Sequence, residues 1–261
     1  MSDQGNGIGP LLVVTALADE ARAFFRGTDG GMALRPRGEP PSSPAMRDMR
    51  EGRDSLGEVV WVGPGSSGEG PLFDLLISGR FSFVLFTGLA GALSTELAPG
   101  SIVVADEVVT AAGECVLPTR TFPWDRSRFT SPGTRVHSGR ILSATTLIGS
   151  PEEKGRMARE TGAVAVDMES GLWLTLASRA GIPAAVVRVI SDGARETLPP
   201  EILSFVDASG SVSYRGIMGA LLSRPALLFQ LVPLWPSIDL GRKTLTRMGS
   251  QVSAALREGR R

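Results

Sequence analysis

Four carboxylates stand where buried strands are expected to stop. Glu20 follows the apolar run Leu-Leu-Val-Val-Thr-Ala-Leu (11–17). Asp167 and Glu169 follow Ala-Val-Ala-Val (163–166), and Asp192 closes Ala-Ala-Val-Val-Arg-Val-Ile-Ser (184–191). A glycine-bearing stretch, Thr87–Ala92, follows a further apolar run at 81–86. An acid in such a place can protonate a leaving group or take a proton from water. In open α/β sheets, ligands bind in the crevice beyond the carboxyl ends of the strands. Asp167 or Asp192 taken alone reads equally as a helix cap. The set of four strand-end loops together points to one shared pocket.

The elements that must position these groups can be read from hydrophobic pattern. Short β-branched runs predict strands at 11–17, 58–65, 81–93, 100–111, 139–148, 162–169 and 183–192. Helices are expected at 18–25, with Asp19 and Glu20 in the first turn, at 70–79, at 151–160, and at 170–181, stopped by Gly181. Residues 81–93 read as a strand opening into a glycine loop. Residues 26–57 read as a long loop with short strands, and 112–139 as loop. Alternating apolar strands and helices argue for an α/β fold: three layers, α/β/α, around a central mostly parallel mixed sheet.

Composition narrows the chemistry. The chain has 261 residues, 42% of them hydrophobic and 21% charged, which suits a globular protein with a sizeable core. Lys plus Arg equals Asp plus Glu at 27 each, so no basic excess marks a nucleic-acid partner. Cys115 and His137 are the single cysteine and histidine. An internal disulfide is impossible, a Cys/His zinc cluster is not expected, and His137 reads as an ordinary loop residue. The N-terminus lacks the pattern of a secretory signal, and the expected compartment is the cytoplasm.

Four motifs, in order, resemble the nucleoside phosphorylase and nucleosidase superfamily, in the branch of methylthioadenosine/S-adenosylhomocysteine nucleosidase. They are Val-Val-Thr-Ala-Leu-Ala-Asp-Glu (13–20), Phe-Thr-Gly-Leu-Ala-Gly-Ala-Leu (86–93) with the next strand, Ala-Val-Asp-Met-Glu-Ser (165–170) and Val-Arg-Val-Ile-Ser-Asp-Gly-Ala (187–194). The resemblance implies cleavage of a purine N-glycosidic bond. Asp192 would protonate the leaving base, with Ser191 orienting it. Glu169 would accept from ribose hydroxyls, Met168 would pack on the sugar, and Glu20 would activate the attacking water. Asp167, Gly88, Leu89, Ala90 and Leu147 would line the substrate site. No cofactor is implied, although inorganic phosphate would be a co-substrate in a phosphorylase. A homo-oligomer, a dimer, is also expected.

The nucleophile turns on charge. A phosphate site needs cations or backbone donors. Phe86 stands where phosphorylases of this superfamily commonly carry an Arg before the glycine loop, and Arg22 is the only cation near Glu20 in sequence. Glu20 would repel phosphate and suits water, so hydrolysis is favoured. Leu89 stands where related nucleosidases tend to carry a small polar residue, implying a more apolar pocket.

The last sixty residues differ in character. Residues 216–235 are rich in large apolar side chains broken by Pro225 and Pro233, and 241–261 carry six basic residues against Glu258. This divides the chain into a catalytic domain, 1–200, and a helical extension, 201–261, packed on the domain or on a membrane through 216–261. The segment Leu-Pro-Pro (198–200) and the later Leu-Leu-Ser-Arg-Pro (221–225) resemble the hopanoid-associated phosphorylase family. That implies adenine removal from adenosylhopane, a lipid-linked nucleoside. The other readings are a purine nucleoside phosphorylase, a methylthioadenosine or futalosine nucleosidase, and a non-catalytic nucleoside-binding or membrane scaffold protein.

Overall fold

The computed structural model describes residues 10–35, 56–64, 68–118, 129–130, 134–205, 219–220 and 222–259. In chain order the elements are β1 (Leu11–Thr15), α1 (Ala18–Gly27), β2 (Ala33–Arg35), β3 (Gly57–Trp61), α2 (Glu69–Leu76), β4 (Phe83–Ala92), β5 (Ile102–Thr110), β6 (Cys115–Val116), β7 (Val136–Ser143), α3 (Pro151–Thr161), β8 (Ala165–Asp167), α4 (Ser170–Ala180) and β9 (Ala184–Asp192). A 3-10 turn at Pro200–Phe205, the short α5 (Leu227–Leu231), a second 3-10 turn at Val232–Leu234 and the long α6 (Trp235–Glu258) complete the described chain.

The sheet is mixed and mostly parallel, as the pattern of apolar runs implies. Strand order is β2-β3-β1-β4-β8-β7-β5-β6, and β9 pairs with both β4 and β5. That double pairing joins β4, β9, β5, β7 and β8 into a closed ring, with β1, β3 and β2 continuing outward from β4. Side chains alternate across the strands, and both faces are covered. Leu12 and Val14 of β1 join Leu72 and Leu76 of α2 and Trp173, Leu174 and Ala177 of α4. Leu11 and Val13 face the other way, onto Ala21 and Phe24 of α1 and Leu245, Met248 and Val252 of α6. A third cluster seats α3 against β7 and β8 through Leu142, Val166, Met157 and Ala158.

Several boundaries differ from the sequence expectation for identifiable reasons. The glycines after Thr87 form no loop: β4 runs through Gly88 and Gly91 to Ala92, paired with β9 on one side and β8 on the other. The strand expected at 139–148 lies at Val136–Ser143, so His137 stands on a strand. Residues 144–150 form the connection to α3, which Ser150 caps by accepting from the Glu153 N–H at 3.2 Å, with Pro151 opening the first turn. The strand expected over 162–169 contracts to Ala165–Asp167, because Gly162 takes a left-handed conformation to end α3 and α4 begins at Ser170. Within 26–57, residues 33–35 form an edge strand. The charged stretch Met-Arg-Asp-Met-Arg-Glu-Gly-Arg-Asp-Ser (46–55) lies outside the described residues.

Residues 235–258 of the C-terminal segment form one helix of the domain's own outer layer. Leu245, Met248, Val252 and Leu256 recur three to four residues apart, all of them buried on one helical face. α6 approaches α1 very closely: a Cβ at Gly249 would lie 2.1 Å from the Phe24 carbonyl oxygen, and one at Gly27 would lie 1.8 Å from that of Thr246. Among the described residues, no helix is long and apolar enough to cross a membrane. Leu228, Phe229, Val232 and Trp235, just before and at the start of α6, are exposed.

Candidate active site

Two clusters of charged groups sit along one short length of β4. The first surrounds Gly88. Glu20, buried in the first turn of α1, accepts from the Leu17 N–H through Oε2 (3.1 Å) and from the Leu89 N–H through Oε1 (2.9 Å). The second bond ties the helix to β4. Burial pushes the Glu20 carboxyl above its ordinary value. The Leu89 N–H, the Arg188 guanidinium and the Leu17 and Ala16 N–H groups oppose that shift without cancelling it. A carboxyl raised in this way binds a proton more readily, as a base for water requires.

Gly88 is a glycine of necessity. Its φ is +141°, and a Cβ there would lie 2.9 Å from both Arg188 Nη1 and Glu20 Oε2. The missing side chain lets the acid and the guanidinium close around the backbone. Arg188 is the cation of this cluster, and sequence reading missed it. A charged residue inside an otherwise apolar strand was the available signal. The guanidinium is almost wholly buried, donates to the Thr87 carbonyl (3.0 Å) and Ser170 Oγ (2.9 Å), and pairs with Asp167 Oδ2 at 2.5 Å. It lies 5.2 Å above the Trp173 ring. Arg22, the cation nearest in sequence, instead turns outward to Asp19 (3.2 Å) and lies over Trp61.

The second cluster surrounds Asp192. Its carboxylate is nearly fully buried; Oδ1 accepts from Ser191 Oγ at 2.6 Å and Oδ2 from Lys154 Nζ at 2.6 Å. Gly91 passes so close that a Cβ there would lie 3.0 Å from Oδ2. Lys154 is the second residue that sequence reading missed. The segment around it, Pro-Glu-Glu-Lys-Gly-Arg, has the composition of a solvated helix, and nothing local marks the lysine as buried.

Register joins the two clusters. β4 and β9 pair Gly88 with Arg188 and Gly91 with Asp192. The groups around Glu20 and Asp192 are therefore separated by about three strand residues, roughly 10 Å at ~3.3 Å each. β8 pairs antiparallel with β4 through Gly91 with Val166 and Ala92 with Ala165, so the chain beyond Val166 heads back toward Gly88. That brings in the half-buried Met168 and the buried Glu169, which precedes the first residue of α4.

The other expected site residues divide. Leu89 and Ala90 lie on β4 between the clusters, and the Ala90 carbonyl faces Ser191 Oγ at 3.2 Å. Leu147 is half-buried in the β7–α3 connection, beside Gly149, whose carbonyl receives the Leu198 N–H at 2.9 Å. Asp167 takes a different task from the one expected. Its carboxylate is taken up by Arg188 and by the Ser170 hydroxyl and N–H, so it holds the guanidinium rather than facing a ligand. His137 carries no part in either cluster. A cleft of about 470 Å³ lies beyond the Asp192 loop, lined by Glu196, Thr197, Gln230, Pro233 and Leu234.

The closed-ring α/β sheet is shared with a known class of proteins. The family model described as the phosphorylase superfamily matches residues 75–215, just over half of the chain, and the chain belongs to that superfamily. Among named relatives, the 5'-methylthioadenosine/S-adenosylhomocysteine nucleosidase of Mycobacterium tuberculosis is 25% identical over 187 residues, covering 56% of this chain and 73% of the relative. The enzyme of the same name from Treponema pallidum is 36% identical over 61 residues, 23% of each chain. In fold, the chain is similar to the Helicobacter pylori 5'-methylthioadenosine/S-adenosylhomocysteine nucleosidase, with a TM-score of 0.62 at 14% identity, over 96% of this chain and 98% of that one. It is similar also to the futalosine hydrolase of the same organism, with a TM-score of 0.60 at 16% identity, over 95% and 97% of the two chains.

Proposed function

We propose that this protein hydrolyses the N-glycosidic bond of a 5'-modified adenosine, releasing adenine. One observation carries the reading: Glu20 and Asp192 flank the same short length of β4, each buried and each oriented by hydrogen bonds. As C1'–N9 breaks, the bonding electrons leave with the base and positive charge builds on the ribose. Asp192 donates its proton to the base, at N7, so the base departs neutral. Glu169 accepts from the ribose hydroxyls, and its charge stabilises the oxocarbenium-like ring. Water adds to C1' and gives its proton to Glu20. Arg188, held by Asp167 and Ser170, helps to keep Glu20 in place and its charge balanced.

Water is favoured over phosphate because Glu20 would oppose an anion at that position. Arg188 is committed to Asp167, Ser170 and the Thr87 carbonyl. The names of the relatives agree with a nucleosidase. The test is adenine release from a panel of methylthioadenosine, S-adenosylhomocysteine, futalosine and adenosylhopane. Release of base from one or more of them is expected. No release from any would leave a nucleoside-binding role instead.

For the 5' substituent, an apolar lipid group of the adenosylhopane kind is the finer reading. Its support is the Leu-Pro-Pro resemblance together with exposed Phe229, Val232 and Trp235 beside the cleft at Gln230, Pro233 and Leu234. Exposed apolar groups in such a cluster commonly mark a ligand or lipid surface. Faster turnover of adenosylhopane than of methylthioadenosine would support it; the reverse order would assign the small thioether substrate.

A further inference from the structure

We infer that Lys154 of α3 is the positioning residue of the acid, anchoring Asp192 and tying it to the loop that leaves β9. The inference rests on the hydrolytic reading above. Lys154 is 0% exposed, a rare condition for a lysine. Its Nζ lies 2.6 Å from Asp192 Oδ2, 2.9 Å from the Gly193 carbonyl oxygen and 2.9 Å from that of Glu196. An ammonium has three N–H donors, and these three acceptors use all of them. The buried charge is therefore fully matched, which its burial requires.

The same contacts fix two parts of the site at once. Ser191 holds one oxygen of Asp192 while Lys154 holds the other, so the carboxylate cannot rotate. The two carbonyls belong to the loop that leaves β9. That loop is closed on itself by the Glu196 side chain, which accepts from the Gly193 N–H (3.0 Å) and from Ser237 Oγ of α6 (3.2 Å). Among the described residues, Lys154 of α3 contacts Asp192 directly, Glu196 closes the loop that follows, and the Gly91 backbone of β4 passes beside Oδ2. In the reaction, Asp192 gives its proton to the departing base and returns to a carboxylate already paired with Lys154. The next proton then comes from solvent or with the next substrate.

The test is the split between kcat and KM for adenine release by wild type and by Lys154→Met, which keeps the bulk and removes the charge. Wild-type release is the control for the hydrolytic reading itself: no adenine from wild type defeats that reading, whereas the variant's kcat and KM bear only on the role of Lys154. In the variant kcat should fall ~10–100-fold as the carboxylate loses an anchor, while KM stays within about 3-fold because the contacts to substrate are kept. An unchanged kcat, or a loss carried by KM alone, would make Lys154 a structural residue only. If Lys154→Met does not fold, the double variant Lys154→Met/Asp192→Asn removes both buried charges. It should fold and be no more than about 3-fold slower than Asp192→Asn alone, since coupled groups are not additive. A larger loss, or failure to fold, would overturn the inference.

Discussion

Glu20 carries opposed demands of stability and chemistry. Its carboxyl is raised from an ordinary value of 4.5, first by burial, so the folded protein holds that proton more tightly than the unfolded chain. The stability it contributes is complete below the unfolded value and falls as pH rises through the folded one. Glu20→Gln does not titrate. Its stability relative to wild type should therefore be poorest in acid and improve across that window, which melting curves from pH 4 to 8 would show. The amide still loses one of the two backbone bonds, at Leu17 or Leu89, so the sign at any single pH matters less than the trend. Activity should fall by at least ~10²-fold. Asp192→Asn should keep the fold, because the amide oxygen can still accept from Ser191 or Lys154, and should lose ~10²–10⁴-fold in kcat. Near-normal turnover in a folded Asp192→Asn variant would remove it from the mechanism. On the acid side, activity should rise with pH as Glu20 loses its proton and can take one from water, read as kcat/KM from pH 4 to 8.

At the scale of elements, close approach does the positioning. β4 is tied to α1 by the Glu20–Leu89 bond and to Arg188 by the bare backbone of Gly88. Gly88→Ala places a methyl 2.9 Å from Arg188 Nη1 and Glu20 Oε2 at a φ that side chains disfavour. It should cost about 1–3 kcal/mol and reduce activity through both groups, read by denaturant midpoint and kcat/KM. Sequence made the strands legible because their apolar runs are buried on both faces, and Glu20, Glu169, Ser191 and Asp192 were legible because they end those runs. The course of β4 was not: its glycines have loop composition, and their strand conformation comes from pairing with β9 and β8, which local pattern cannot report. Arg188 and Lys154 stayed hidden for a related reason, since their burial is decided by partners 18 to 38 residues or more away along the chain.

For the molecule as a whole, α6 belongs to the folding unit. Leu245, Met248, Val252 and Leu256 are each worth about 1.5–3 kcal/mol on full burial. Together they match the roughly 5–15 kcal/mol that stabilises an ordinary domain. A chain ending before Trp235 should therefore lose the cooperative melting transition, and with it adenine release. A truncated chain that melts sharply would show that α1 and the sheet do not need this cover. The helix also reaches the site: a Cβ at Gly241 would lie 2.9 Å from Leu89 Cδ2, and Ser237 bonds Glu196 in the loop after Asp192.

The most direct test of water as nucleophile is the mass of the sugar product. Protein, 5'-methylthioadenosine and, in a parallel reaction, adenosylhopane are incubated with and without inorganic phosphate, and both base and sugar are identified. Hydrolysis predicts adenine and a free sugar bearing a hydroxyl at C1, at a rate unchanged by phosphate. A sugar 1-phosphate formed only when phosphate is present would contradict it, and would place an anion where Glu20 is assigned to hold water.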